Sequence, residues 1–226
     1  MLGRNSKMQL DQECYLCGTK VDLTRDHVPP KNLFPAPLPN NLITVPCCKS
    51  CNQSNSKYEE QFRVFVSSAA NASPHGVRIW REKVVGSTFK RSPRLKSQFG
   101  KGLVCVEIDS PIGRIKQPSV TLGPVPVEAC LVKITKGLLA HFYPRIIRSE
   151  LGFQITPLNQ FANQQKLVNS LPIPVIYEER GSGAFKFWRG VAEDDNSFGL
   201  WIYVFYDAVW FLVNHDRKVQ LFPSGI

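Results

Sequence analysis

Four cysteines fall into two pairs with the same short spacing, Cys14-x2-Cys17 and Cys48-x2-Cys51, with 30 residues between the pairs. Each pair can turn two thiolates toward one ion, and two such pairs close a tetrahedral zinc site. Gly18, directly after the first pair, frees the backbone for the tight turn that such a knuckle needs. Cys47 offers a rival pairing, Cys47-x3-Cys51, but the two-residue spacing of Cys48 is the commoner geometry. Four thiolates leave no coordination position open, so the zinc is expected to be structural: a motif of about 45 residues is too small to build a large core, and the ion would staple it. Cys105 and Cys130 lie in apolar runs and read as core thiols. An odd total of seven cysteines argues against a disulfide framework.

Between the two pairs lie Asp26-His27 and, further on, Asn41; Asn52 directly follows the last cysteine. Hydrolysing a phosphodiester needs a base to deprotonate water and a divalent cation to take up charge on the phosphate and the leaving oxygen. His27 suits the first role, since an imidazole with a pKa near ~6.5 is partly neutral at physiological pH. The Asn41 side-chain carbonyl can fix its tautomer. Asp26 and Asn52 offer hard oxygens, the donors that Mg²⁺ or Mn²⁺ prefer. On a helix Asn52 and Glu59 share a face, which makes Glu59 a further, water-mediated partner, while Asn55 falls on the face of Phe62 and is the weaker alternative. Ordinary turn chemistry is the plainer reading of Asn40 and Asn41; the spacing from His27 and the following Leu42 favour Asn41. His75, His141 and His215 show no partner pattern.

A third feature is electrostatic. Residues 1–100 carry 15 Lys+Arg against 7 Asp+Glu, whereas residues 101–226 carry 13 against 11, so +8 of the net +10 lies in the first part. Arg78, Arg81, Lys83, Lys90, Arg91, Arg94, Lys96 and Lys101 stand against Glu82 alone, a density suited to neutralising phosphates. Because this stretch follows the Asp-His-Asn-Asn segment, it reads as a phosphate grip rather than as a solvated linker. Lys57 either touches a phosphate or is solvated.

Asp26-His27-Val28-Pro29-Pro30, Asn41-Leu42 and Cys48-x2-Cys51-Asn52, in that order and spacing, resemble the words of bacterial HNH endonucleases with a zinc-stapled ββα-metal motif. The resemblance covers about residues 14–60, with Asn52 standing where the family name has its last His, a replacement also found in active members. It implies a metal-dependent endonuclease acting on DNA, or on RNA, with His27 activating water, Asn41 orienting it, and Asp26 and Asn52 holding Mg²⁺ or Mn²⁺. Residues 102–226 also resemble, far less specifically, the second half of uncharacterised bacterial HNH proteins, in the Gly137-containing helix and the run Phe205-Tyr206-Asp207. That likeness implies no activity.

The elements expected to carry these residues are a strand over Val21–Thr24 leading into Arg25–Pro30, a loop, a strand over Asn41–Pro46 that pairs with the first, and a helix from Lys49 to Ser68 with Tyr58, Phe62 and Phe65 on one face. The basic stretch is expected to be partly helical around Arg78–Val85. Beyond a boundary near 100 come strands at Leu103–Ile108 and Arg114–Leu122 around a turn at Asp109–Gly113, an amphipathic helix over Val127–Tyr143, and strands at Ile173–Tyr177, Ala184–Val191, Trp201–Phe205 and Val209–Val213. The fold class is α+β: a nuclease domain over 1–100 with its basic extension, and an α+β domain over 101–226 with an antiparallel or mixed sheet.

With 226 residues and 43% hydrophobic content, the chain is expected to bury a real core. Leu200–Val213, the longest apolar stretch, is broken by Asp207 and is too short to span a membrane. The polar residues 1–12 lack a secretory signal's apolar centre, and the expected location is the cytoplasm. A second copy of the chain, or a partner protein, would dock through 101–226. The alternative function is a zinc-stapled nucleic-acid-binding module without catalysis. A pure phosphate binder gains nothing from a carboxylate at position 26, whereas a cation site requires one.

Overall fold

The computed structural model describes residues 12–69, 72–110, 113–120, 124–146, 148–158, 164–192 and 197–217. The readings made for residues 1–11 and for the centre of the 109–113 turn lie outside them. The architecture is α+β, and every strand pairing is antiparallel.

Strands β1 (Leu23–Val28) and β2 (Ile43–Cys48) form a hairpin in which Asp26 faces Val45 and His27 faces Thr44. β1 runs through the Asp-His pair rather than ending before it. β2 continues two residues past Pro46, which a two-stranded ribbon tolerates because the missing amide donor lies at an edge. Helices α1 (Lys49–Ser54) and α2 (Ser56–Ser67) follow, parted at Asn55, so the expected single helix is two. Phe62 of α2 is fully buried, and its ring meets Phe205 edge-on at 5.1 Å. Burial of such a ring contributes roughly 2–3 kcal/mol.

The basic stretch is helical almost throughout: α3 (Pro74–Arg78), a π-helical stretch (Ile79–Thr88), α4 (Phe89–Arg91) and α5 (Pro93–Lys101). Its apolar residues Val84, Leu95 and Phe99 cluster with Val64 of α2, and Trp80 and Phe89 close over them. A local apolar core thus gives the charged stretch its shape. Next come a separate hairpin, β3 (Leu103–Ser110) with β4 (Gly113–Val120), and the long helix α6 (Pro124–Phe142).

The main sheet has the order β5-β9-β8-β7-β6, from β5 (Leu151–Leu158), β6 (Ile176–Arg180), β7 (Phe185–Val191), β8 (Gly199–Phe205) and β9 (Val209–Arg217), with α7 (Gln164–Asn169) between β5 and β6. β5 and α7 had no expectation. Central β8 is buried along its whole length. Trp201, Tyr203 and Phe205 point into the main core, while Ile202 and Val204 join Trp210 beneath Leu167, Val168 and Leu171. The two faces therefore have different covers, as the period of two in a strand demands.

One apolar cluster runs from Cys14 and Tyr15 through Phe34, Phe62, Leu131 and Leu138 to Phe211 and Val213, with residues from both sides of position 100. α6 is the shared wall. A Cβ on Gly137 would lie 2.5 Å from Cγ2 of Val28, so only glycine lets the helix approach β1 this closely. No helix among the described residues is long and apolar enough to cross a membrane.

Candidate functional site

The first knuckle is built by backbone hydrogen bonds: Gly18 N–H donates to the Cys14 carbonyl at 2.8 Å, and Cys14 N–H to that of Thr19 at 2.8 Å. Gly18 adopts a φ of 75°, the left-handed turn that glycine makes without strain. Tyr15 N–H donates to the Pro46 carbonyl at 3.0 Å, laying the knuckle along β2. The second knuckle is the start of α1, where Cys51 N–H donates to Cys48 Sγ at 3.4 Å.

The four sulfurs of Cys14, Cys17, Cys48 and Cys51 all lie within 4.8 Å of one another. Cys17 Sγ and Cys48 Sγ are 3.7 Å apart. Tetrahedral zinc with Zn–S bonds of ~2.3 Å separates its sulfurs by about 3.8 Å, so the set fits that ion. Cys47 is not in the set: strand alternation turns it inward, fully buried, 4.0 Å from Cys14 Sγ, and burial pushes its thiol well up. Burial works against the Cys14 thiolate too, but hydrogen bonds from the backbone of Cys48, Cys17 and Leu16 outweigh it and bring the thiol down to about 6. That favours the ligating form.

β1 divides the chemistry between its two faces. Outward are Arg25 and His27, opposite Pro46 and Thr44. Arg25 donates from Nε and Nη2 to Thr44 Oγ1 at 3.1 and 2.9 Å, which holds the guanidinium beside the imidazole. His27 is partly buried; burial first, then Lys31 and Arg25, lower its pKa, with Asp26 opposing. These effects favour the neutral form of its imidazole. Arg25 and Lys31 were not singled out from the sequence, although the period of two already placed Arg25 on the face of His27.

Inward are Thr24, Asp26 and Val28. Asp26 is buried, and its two contacts both use Oδ2: the Tyr15 hydroxyl donates to it at 2.9 Å, and Lys133 Nζ lies 2.9 Å away. Among the described residues Oδ1 carries no partner. Lys133 comes from α6, is 4% exposed, and also donates to Glu59 of α2. Burial works against its charge, but Glu59 and Asp26 together outweigh that and lift the ammonium above its usual pKa. Burial also raises the Glu59 carboxyl, and Lys133 pulls it back. The ammonium in direct contact favours the carboxylate form of Glu59. Lys133 was missed in the sequence, where its one sign is a lone charge amid Cys130, Leu131, Val132 and Ile134.

Asn52 lies beside Thr24 on this inner side. Its Nδ2 donates to Thr24 Oγ1 at 3.2 Å, and Thr24 in turn donates to the Cys47 carbonyl at 2.8 Å. The Asn52 carbonyl oxygen is the atom left over. Asn55 turns back on its own helix, Nδ2 to the Cys51 carbonyl at 3.2 Å. Asp26 thus has one oxygen anchored and one without a partner, and Asn52 is held through Thr24, two positions before Asp26 on β1; oxygens of this kind are the donors that Mg²⁺ or Mn²⁺ takes. Asn41 does not reach His27 by any hydrogen bond. Its Oδ1 accepts from Gly181 N–H at 3.3 Å, tying the hairpin loop to the turn between β6 and β7.

Three of the basic residues are committed elsewhere. Arg78 pairs with Glu82 at 2.9 Å, Arg91 with Glu60 at 3.1 Å, and Lys83 Nζ donates to the Phe34 and Asn32 carbonyls at 2.6 and 3.4 Å. Arg81, Lys90, Arg94, Lys96 and Lys57 are exposed. No family model, curated protein or solved structure matches the chain. The four-cysteine cluster is compatible with a zinc-stapled module in an α+β chain, and this is the class that the site defines.

Proposed function

We propose that the chain is an endonuclease of the HNH type, hydrolysing phosphodiester bonds in DNA with the help of one divalent cation. The observation that carries this reading is the placement of His27 on the outer face of a cysteine-clustered hairpin, with Arg25 locked through Thr44 on the same face. An imidazole next to a fixed cation is what a base that activates water against a phosphate requires. His27 takes the proton from water. Arg25 and Lys31 attract the phosphate oxygens, and Arg81, Lys90, Arg94 and Lys96 hold flanking phosphates. Asp26 Oδ1 and the Asn52 carbonyl would hold Mg²⁺ or Mn²⁺, which supplies charge stabilisation at the phosphate and the leaving oxygen. The zinc on Cys14, Cys17, Cys48 and Cys51 is structural and keeps β1 and α1 in register.

A second reading, a nucleic-acid-binding module without catalysis, has one observation in its favour. Lys133 gives Asp26 an ion-pair partner, so the carboxylate has a structural use even without a cation. Plasmid DNA incubated with the protein and Mn²⁺ separates the two. Nicking is expected from the wild type and is expected to fall by at least ~10²-fold in His27→Ala, the span of a general base. Equal nicking by both proteins would discard His27 as base. Retention of plasmid on a gel without nicking by either would select the binding module.

A further inference from the structure

We infer that Lys133 of α6 is a positioning residue of the cation site, so that the second half of the chain completes a centre whose other residues all come from the first. The inference rests on the proposed cation at Asp26. Lys133 is charged, 4% exposed and 107 residues from Asp26 in sequence, yet its ammonium lies 2.9 Å from Asp26 Oδ2 and also contacts Glu59. A buried ammonium is retained only where it is fully paired, and here two carboxylates from two other elements converge on it.

The geometry gives the pairing a direction. Tyr15 and Lys133 both hold Oδ2, which fixes the carboxylate plane and leaves Oδ1 as the ligand atom. Metal-binding carboxylates are oriented in this way by outer hydrogen bonds. Charge does not reverse the argument: Glu59 cancels the Lys133 charge, so an ion at Oδ1 meets a neutral ion pair rather than a lone cation. What Lys133 supplies is orientation. The close approach of Gly137 to Val28, one helical turn further along α6, sets the height at which Lys133 meets Asp26.

The test replaces the ion pair by a neutral pair of similar volume, Lys133→Met together with Glu59→Gln. This keeps the net charge of the cluster, which either single change would alter, and leaves Asp26 held by Tyr15. Mn²⁺ binding to full-length, zinc-loaded protein is followed by electron paramagnetic resonance, with zinc content and near-ultraviolet circular dichroism as checks of fold. Wild type is expected to bind one Mn²⁺, Asp26→Asn to lose it, and the double variant to bind at least about tenfold more weakly. A folded double variant with wild-type affinity, or tighter, overturns the positioning role and leaves the nuclease reading standing. No Mn²⁺ on the wild type, or equal binding by Asp26→Asn, overturns the cation reading and this inference with it. Should the double variant lose its zinc, Tyr15→Phe, which removes the other donor to Oδ2, takes its place; undiminished Mn²⁺ affinity there overturns the orientation argument.

Discussion

The hairpin unit and the five-stranded sheet hold their shape by opposite means. Around β1, β2 and α1 the described elements are short, and the residues that could do chemistry are fixed by thiolates, an ion pair and single hydrogen bonds. In the sheet, β8 is buried throughout, and Phe185, Phe187, Tyr203 and Phe205 pack ring against ring. On the hairpin the four-cysteine cluster and the buried ion pair add to the apolar contacts of Val28, Ile43 and Val45. The sheet provides the bulk against which α6 leans.

The largest expected effect comes from removing what is peculiar to the hairpin. Chelation of zinc, which withdraws binding free energy on the order of 10 kcal/mol, is expected to unfold residues 14–54 and to abolish any nicking. The tryptophans of the sheet, Trp188, Trp201 and Trp210, should keep their folded fluorescence. Loss of both together would mean that the two regions form one cooperative unit.

A second effect belongs to the sheet alone. His215 of β9 is buried, accepts from Trp201 Nε1 on Nδ1 at 3.0 Å, and is held down to about 4 by burial, with Asp216 opposing. Its folded pKa lies below the ordinary ~6.5, so the unfolded chain binds the proton first and stability falls as pH drops through that window. The loss is expected to reach up to about 3 kcal/mol near pH 4. Urea unfolding of zinc-saturated protein at pH 7 and at pH 5 should show it, and His215→Gln should flatten the pH dependence. An unchanged slope in that variant would assign the acid sensitivity to the hairpin instead.

The smallest effect probes the seam. Gly137→Val places side-chain atoms where Val28 already stands, 2.5 and 2.9 Å from its two methyls, and should cost about 1–3 kcal/mol in urea unfolding. If α6 and β1 are in contact as described, the variant also loosens Lys133 from Asp26, and Mn²⁺ affinity should drop alongside stability.

Much of the hairpin was legible because its signals are local: cysteine spacing, an Asp-His pair, a stripe of Tyr58, Phe62 and Phe65. The four-cysteine set and the choice of Cys48 over Cys47 follow from spacing alone. The parts that were not legible are those that depend on distant partners. Nothing near Asn41 in sequence announces Gly181, 140 residues away, and nothing near Asp26 announces Lys133. β5 escaped because Leu151–Leu158 is an edge strand in which half-buried and exposed residues mix and a proline intervenes, so it lacks the apolar run that marked β8. The basic stretch gave its charge but not its commitments, since Lys83 is claimed by carbonyls of the hairpin loop and Arg91 by Glu60.

The Tyr206 hydroxyl donates to the Leu33 carbonyl at 2.6 Å, across 173 residues of chain. During synthesis the ribosome releases the four clustered cysteines long before it reaches Tyr206. The loop that follows His27 therefore waits for its last anchor, and Asp26 for Lys133, while the chain between them is made. The cysteine cluster can therefore form well before Asp26 has its ion-pair partner.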